Sequence, residues 1–201
     1  MTFTLAALAA ACGLARLAIF VALHAVKNEY SPVRHAVSDY AVGSTRRLSS
    51  IMTWITVPFW GLLAAAVATG LNDWPDATGI AVALSALAVI FLVLPFVPTD
   101  VEGEKATTIG RLHYLLAIAW FAISYACMGN FTRLFSDLGP EWLAATLTVL
   151  SWIAAVSLAV SVIALVVKKL RARVFGLSER VFILSVNLFY LGVAVGLLLL
   201  G

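Results

Sequence analysis

Long apolar runs, separated by short polar segments, dominate the chain. A transmembrane helix needs roughly 20 mostly apolar residues. Six runs reach that length, at residues 3–25, 48–70, 77–97, 112–131, 142–167 and 181–200. We therefore predict an all-α fold, a polytopic membrane bundle of six transmembrane helices. We expect the whole chain, residues 1–201, to form one domain.

The first polar segment, SPVRHAVSDYAVG, has a helical pattern of its own. Its apolar residues recur at the spacing of one helical face: Val33, Ala36, Val37, Tyr40 and Ala41. The remaining polar residues take the other face: Arg34, His35, Ser38 and Asp39. Ser31 suits the start of such a helix and Gly43 its end. The pattern predicts a short helix in the membrane interface with a solvated polar face, and not a hydrolytic triad, because the polar residues share one outward turn.

Composition agrees with a membrane protein and excludes an ordinary soluble domain. Hydrophobic residues make up 63% of the chain and charged residues 11%, and the mean hydropathy is +1.03. The first run is long enough to span and has no basic residue before Arg16, which argues against a signal peptide. Cys12 and Cys127 fall inside predicted spans, where they are expected as small apolar residues and not as a disulfide.

Charge is distributed unevenly between the loops. Of the 13 basic residues, 11 lie in the odd-numbered loops: Lys27, Arg34, Arg46, Arg47, Lys105, Arg111, Lys168, Lys169, Arg171, Arg173 and Arg180. The positive-inside rule then places these loops in the cytoplasm and both termini outside a bacterial inner membrane. We expect membrane lipids as partners, with head-group contacts from Arg34, Arg46, Arg47, Lys168 and Lys169. The basic surface is too small for a nucleic-acid partner.

Arg16 and Asn187 are polar residues that lie deep inside the predicted spans. A charged side chain in hydrocarbon is costly unless it is partnered or reaches the interface. Arg16 lies nine residues from the end of its run, about 13 Å deep at the rise of an α-helix. Asn187 lies roughly 9 Å from the same surface. The pair is interpreted either as a polar clamp between the first and last helices or as the lining of a pocket or pathway.

The third loop adds polar residues at the same membrane face as the first. Asp100 follows the third run, and His113 begins the fourth, which Thr107 or Thr108 can cap. With His35 and Asp39 they form two imidazoles and two carboxylates, the residue types of a metal site or an acid and base pair. No metal-binding spacing such as HExxH occurs, so we expect no metal and no cofactor. A structural hydrogen-bond network, a ligand site and a catalytic site all remain open.

Three motifs in this region resemble those of a known family. They are AVSDYAVG after the first span, FVPTD at the end of the third and GRLHYLLA at the start of the fourth. Their order resembles a bacterial family of six-helix membrane proteins catalogued as domain of unknown function 998, which is distantly similar to the damage-regulated autophagy modulators. The matching positions are Ser38, Asp39, Pro98, Asp100, Gly110 and His113. The family usually has Leu-Gly at Tyr40 and Ala41, and Phe-Pro where Val97 intervenes here. The resemblance implies a fold and a membrane location but no accepted reaction.

The leading hypothesis is a non-enzymatic membrane protein that binds or senses a lipid or small amphipathic ligand near the cytoplasmic interface. The candidate polar cluster is Ser38, Asp39, Asp100, His113 and His35. One alternative is a membrane-embedded hydrolase or metal-dependent enzyme that uses His35, Asp39, Asp100 and His113. A further alternative is a small transporter, for which a homo-oligomer is compatible with so small a bundle.

Overall fold

The computed structural model describes residues 1–27, 30–100 and 107–200, except the side chains of Lys168 and Ala172. All regular structure in these ranges is helical. The α-helices are α1 (Thr2–Ala25), α2 (Arg46–Gly70), α3 (Ala77–Val93), α4 (Thr108–Leu138), α5 (Glu141–Val166), α6 (Lys168–Leu170) and α7 (Gly176–Leu200). Short 3-10 turns cover Val37–Ala41, Gly43–Thr45 and Leu94–Phe96, and a π-helical turn, Arg171–Phe175, leads into α7.

The predicted fold class is confirmed. Within the described ranges, six helices are long and apolar enough to cross a membrane, and the chain is a multi-pass membrane protein. The main difference in bounds concerns α4, which begins at Thr108 and ends at Leu138, beyond the predicted 112–131. Its start is extended because Thr107 caps it and accepts a hydrogen bond from the backbone of Gly110 at 2.9 Å.

Helix α7 lies at the centre of the bundle. In its apolar window 56% of the residues are buried, whereas no other span exceeds 39%. Its closest packing partners are α5 and α1, while α2 packs between α1 and α3. Large aromatic side chains fill the core beside α7, such as Trp60 against Tyr190 with ring centroids 4.7 Å apart.

The first loop is not the single α-helix that the periodicity predicts. The backbone of Ala36 is extended, with φ −66° and ψ 159°, and separates a turn from the 3-10 segment Val37–Ala41. A second 3-10 turn, Gly43–Thr45, leads into α2. Because the 3-10 repeat is three residues per turn, the side chains do not follow the predicted α-helical faces. The prediction that Asp39 is solvated is wrong, since its side chain is only 1% exposed.

The loops at one end of the bundle carry most of the basic residues. We call this end, formed by residues 26–27, 30–45, 97–100, 107 and 167–175 with the adjoining helix ends, the basic end. The first loop lies against the start of α7 there, since the backbone N–H of Gly176 donates to the carbonyl of Val33 at 3.1 Å. A Cβ atom at Gly176 would lie 2.6–2.9 Å from three carbonyl oxygens of the first loop. Glycine is therefore what permits this close approach.

Candidate functional site

A large cavity opens at the basic end of the bundle. Its volume is about 750 Å³, and residues from the first loop and from α1, α2, α3, α4, α5 and α7 line it. This volume lies within the range of roughly 300–1,000 Å³ that is typical of small-molecule pockets. Most lining side chains are apolar, and the polar ones include Arg16, Glu179, His113 and Asn187.

Exposed residues line the cavity both beside the first loop and on two helices. Gly43 and Arg46 line it near the first loop and are exposed. Ile118 of α4 and Val162 and Leu165 of α5 also line it, and these apolar side chains are exposed as well. The exposed lining is therefore apolar on α4 and α5 and carries a cation beside the first loop.

Arg16 lies deep in this cavity. Its side chain is only 3% exposed, and its guanidinium carbon lies 5.1 Å from the ring centroid of Phe59, 5.4 Å from that of Trp60 and 5.8 Å from that of Phe91. These contacts stabilise the cation through the negative faces of the rings. Its Nη1 atom is buried without a hydrogen-bond partner among the described residues.

Asn187 lines the same cavity from α7 and is 3% exposed. Its Oδ1 atom also lacks a hydrogen-bond partner within the described part of the chain. The predicted pair of Arg16 and Asn187 thus shares one cavity, but Nη1 of the first and Oδ1 of the second do not bond to each other. Such orphaned polar atoms are rare in buried sites and call for an explanation.

The third-loop residues form a hydrogen-bonded clamp at the start of α4. Oδ2 of Asp100 accepts a hydrogen bond from the backbone of Thr107 at 2.7 Å, and Oδ1 accepts one from its hydroxyl at 2.8 Å. The carboxylate lies directly over Gly110, where a Cβ atom would collide with it. One turn on, Nδ1 of His113 donates to the carbonyl of Val97 at 2.7 Å. These contacts join the end of the third span to the fourth.

The side chains of Asp39 and His35 each accept a hydrogen bond from the backbone of the first loop. Oδ2 of Asp39 accepts a hydrogen bond from the backbone of Ala36 at 3.2 Å, and so closes the 3-10 turn. Nδ1 of His35 accepts one from the backbone of Ser31 at 2.9 Å. Ser38 is half-buried and lines the cavity. Of the five residues in the candidate polar cluster, Ser38 and His113 are the two that line the cavity.

Sequence reasoning missed Glu179 and Arg180, which hold the first loop onto α7. Both are buried, and Glu179 accepts a hydrogen bond from the backbone of Val37 at 2.7 Å. Arg180 donates from Nε to Nε2 of His24 at 2.9 Å and from Nη2 to the hydroxyl of Tyr40 at 3.1 Å. The charge distribution along the sequence groups Arg180 with the loop cations, but its side chain is buried. The signal was its position next to Glu179, directly before the apolar run of the last span.

The expected head-group residues lie at the surface where they are described. Arg34, Arg46, Arg47 and Lys169 are exposed. The side chain of Lys168 lies outside the described part of the structure, and so does Lys105. In the described ranges, no group of three or more His, Cys, Asp or Glu residues is placed to hold a metal ion. The cluster of His35, Asp39, Asp100 and His113 is therefore not arranged there as a set of metal ligands.

Comparison with known proteins identifies the family. The family described as "Protein of unknown function (DUF998)" matches residues 10–196. The chain belongs to this family. No curated protein and no solved structure matches the chain. The DUF998 match confirms the resemblance drawn from the three motifs, and the distant similarity to the autophagy modulators stays a prediction. In this DUF998 chain the third-loop motifs form the clamp over Gly110, and the first-loop motif packs against α7.

Proposed function

We propose that this protein binds a lipid or another amphipathic molecule in the cavity at the basic end. The observation that supports the proposal is the cavity itself, which is large, mostly apolar, and lined by exposed residues at both a polar loop and a lipid-facing helix pair. An amphipathic molecule has the same division, because its chain favours the apolar lining and its head group the polar side chains. Binding pockets combine apolar lining with a few oriented polar groups in this way.

The cavity can be filled by a substitution that leaves the rest of the bundle unchanged. Ala117 lines it from α4, whereas Ala126 lies on the exposed side of the same helix. We expect Ala117→Phe to remove a lipid that co-purifies with the protein, and Ala126→Phe to retain it. Native mass spectrometry of the purified protein in detergent measures the bound mass. Both variants should elute as single symmetrical peaks in size-exclusion chromatography, so that a misfolded variant is not scored.

Two results would contradict the proposal. The first is a wild-type protein that carries no lipid and takes up none from added mixed membrane lipids. The second is equal lipid retention by Ala117→Phe and Ala126→Phe, which would place the bound lipid on the outer surface of the bundle.

An enzyme is the rival function, because His35, Asp39, Asp100 and His113 have side chains that could support acid–base or metal chemistry. The hydrogen bonds of Asp100 and His113 support a structural role for them instead. Elemental analysis of the purified protein tests the metal-dependent version. A stoichiometric transition metal that is lost in His113→Ala would favour the enzyme over the binding protein.

We further propose that the basic end faces the cytoplasm of a bacterial inner membrane. The support is the exposure of Arg34, Arg46, Arg47 and Lys169 at that end, since cationic loops are retained in the cytoplasm. A C-terminal alkaline phosphatase fusion should then be active and a C-terminal green fluorescent protein fusion dark. The opposite pair of signals would reverse the orientation.

A further inference from the structure

Three residues that line the cavity each have a buried polar atom without a hydrogen-bond partner in the described ranges. Besides Nη1 of Arg16 and Oδ1 of Asn187, this atom is Nε1 of Trp120. Trp120 is 6% exposed and lines the cavity from α4. A buried polar group costs free energy unless its hydrogen bonds are completed. The three groups are therefore candidates to bind the polar part, or head group, of a ligand in this cavity.

The three atoms set the chemistry of that head group. Arg16 and Trp120 offer N–H donors, and the guanidinium adds a positive charge, so they call for an anionic acceptor. Asn187 Oδ1 is an acceptor and calls for a donor. A monoanionic phosphate ester satisfies all three, since it has several acceptor oxygens and retains one O–H. A glycerol hydroxyl beside the phosphate can supply the same donor.

The rings around Arg16 strengthen this assignment. Phe59, Trp60 and Phe91 lie against its guanidinium carbon, and they hold the cation without using its N–H groups. These contacts offset only part of the cost of burying the charge, so an anionic partner would stabilise Arg16 further. Its edge is left for a ligand, and arginine is well suited to bind phosphate through that edge.

The depth of Arg16 distinguishes the cavity from ordinary lipid contacts. Arg16 lies nine residues before the end of α1, about 13 Å along the helix. Exposed cations such as Arg47 contact head groups at the membrane surface, whereas a head group at Arg16 must enter the bundle. The cavity volume of about 750 Å³ suits a ligand with one acyl chain.

We propose that Arg16, Trp120 and Asn187 bind the phosphate head group of a single-chain acidic amphiphile inside the bundle. This inference rests on the proposed function and adds the ligand class and the residues that select it. Glu179 lines the same cavity nearer the first loop, where it accepts the hydrogen bond of Val37. A cationic amphiphile held by Glu179 is the competing assignment, and the test includes it.

Binding of tritium-labelled oleoyl lysophosphatidic acid to the purified protein, measured by scintillation proximity, tests the inference. Unlabelled competitors with similar chains are monooleoylglycerol, which lacks the phosphate, and oleylamine, which is cationic. Inorganic phosphate tests whether the anion alone suffices. We expect both chain-matched competitors to be weaker than unlabelled lysophosphatidic acid by about tenfold or more, because the charged hydrogen bond is lost. Inorganic phosphate should not compete in the same concentration range.

Three substitutions assign the binding to the residues. Arg16→Met should weaken binding about tenfold or more, and Trp120→Phe, which keeps the ring and removes one N–H, by roughly three- to tenfold. Arg133→Met removes an exposed cation of α4 that does not line the cavity, and it should leave binding unchanged. Melting temperatures of all variants in detergent show whether they are folded. Trp120→Phe keeps the test valid if Arg16→Met does not fold.

The failures of the two proposals give different results. If no amphiphile binds to the wild-type protein, the proposed function fails and the inference with it. If monooleoylglycerol competes as well as lysophosphatidic acid and Arg16→Met binds normally, the amphiphile site stands but the phosphate assignment is overturned. Strong competition by oleylamine would contradict the phosphate assignment and favour a cationic amphiphile bound by Glu179. Strong competition by inorganic phosphate would contradict an amphiphilic ligand and indicate a site for the free anion.

Discussion

Arg180 donates a hydrogen bond from Nε to Nε2 of His24 at 2.9 Å, which joins the last helix to the first across 156 positions of the chain. The other ring nitrogen of His24 donates to the carbonyl of Phe20 at 2.7 Å, so the imidazole is held at both ends. Arg180 also donates to the carbonyl of His35 at 2.6 Å and to the hydroxyl of Tyr40. One guanidinium therefore connects α1, the first loop and α7 at the basic end.

Replacement of Arg180 should destabilise the whole basic end. Arg180→Met removes the bonds to His24, His35 and Tyr40 and leaves their polar groups without this partner. We expect the free energy of unfolding to fall by about 2–4 kcal/mol, the usual cost of breaking a buried charged network. Thermal unfolding in detergent, followed by intrinsic fluorescence, measures the change.

Arg173→Met is the matched control for this prediction, because Arg173 is exposed a few residues earlier in the chain. A surface substitution of this kind should change stability by no more than about 0.5 kcal/mol. Equal melting temperatures for Arg180→Met and Arg173→Met would show that the hydrogen bonds of Arg180 contribute little.

Gly176→Ala tests the contact between the first loop and α7 by adding a methyl group at the start of α7. The added Cβ atom would lie 2.6 Å from the carbonyl oxygen of His35 and 2.8 Å from that of Pro32, so the loop must move away. We expect lower thermal stability and faster hydrogen exchange in residues 31–42.

Gly61→Ala is the control, since nothing lies within 4 Å of its Cβ position. That substitution should be neutral or stabilising, because alanine favours a helix by about 1 kcal/mol over glycine. Similar exchange rates in both variants would argue against the close packing.

His113→Ala should lower stability through the clamp at the start of α4. The imidazole is buried, and its bond to the carbonyl of Val97 is one of the contacts that join the third and fourth spans. Loss of the donor leaves a buried carbonyl unpaired, which costs about 1–3 kcal/mol. Ser85→Ala, on the exposed side of α3 with a bond only to its own helix, should behave as wild type. An unchanged melting temperature in His113→Ala would count against the clamp.

The six spans and the cap of α4 could be predicted because their causes are local. A span follows from about 20 apolar residues in one stretch. Thr107 caps α4 because its hydroxyl oxygen accepts a hydrogen bond from the backbone N–H of Gly110, three residues later. The hydrogen bonds of Asp100 with Thr107 span only seven positions, but the capping pattern does not predict them.

The position of Asp39 and the role of Arg180 could not be predicted in this way. Periodicity placed Asp39 on an outward face because it assumed an α-helix, but the loop forms 3-10 turns and packs against α7. Charge counting placed Arg180 in a solvated loop, whereas its partners Tyr40 and His24 lie 140 and 156 positions away. Both outcomes depend on tertiary contacts between the first loop and the last helix, which neither helical periodicity nor a count of loop charges detects.

Asn187 offers the clearest separation between stability and function. Its Oδ1 has no hydrogen-bond partner among the described residues, so its burial costs free energy that no hydrogen bond there offsets. We expect Asn187→Leu, which has the same branched side-chain shape and no polar atom, to keep or raise the melting temperature, by the equivalent of about 1 kcal/mol. The same variant should bind oleoyl lysophosphatidic acid more weakly.

Asn130→Leu provides the contrast, since Nδ2 of Asn130 donates to Oδ2 of Asp76 at 2.7 Å. That variant should lose about 1–3 kcal/mol of stability with ligand binding unchanged. If Asn187→Leu were instead the less stable of the two, Asn187 would be a structural residue and the cavity would lose one of its three selecting groups.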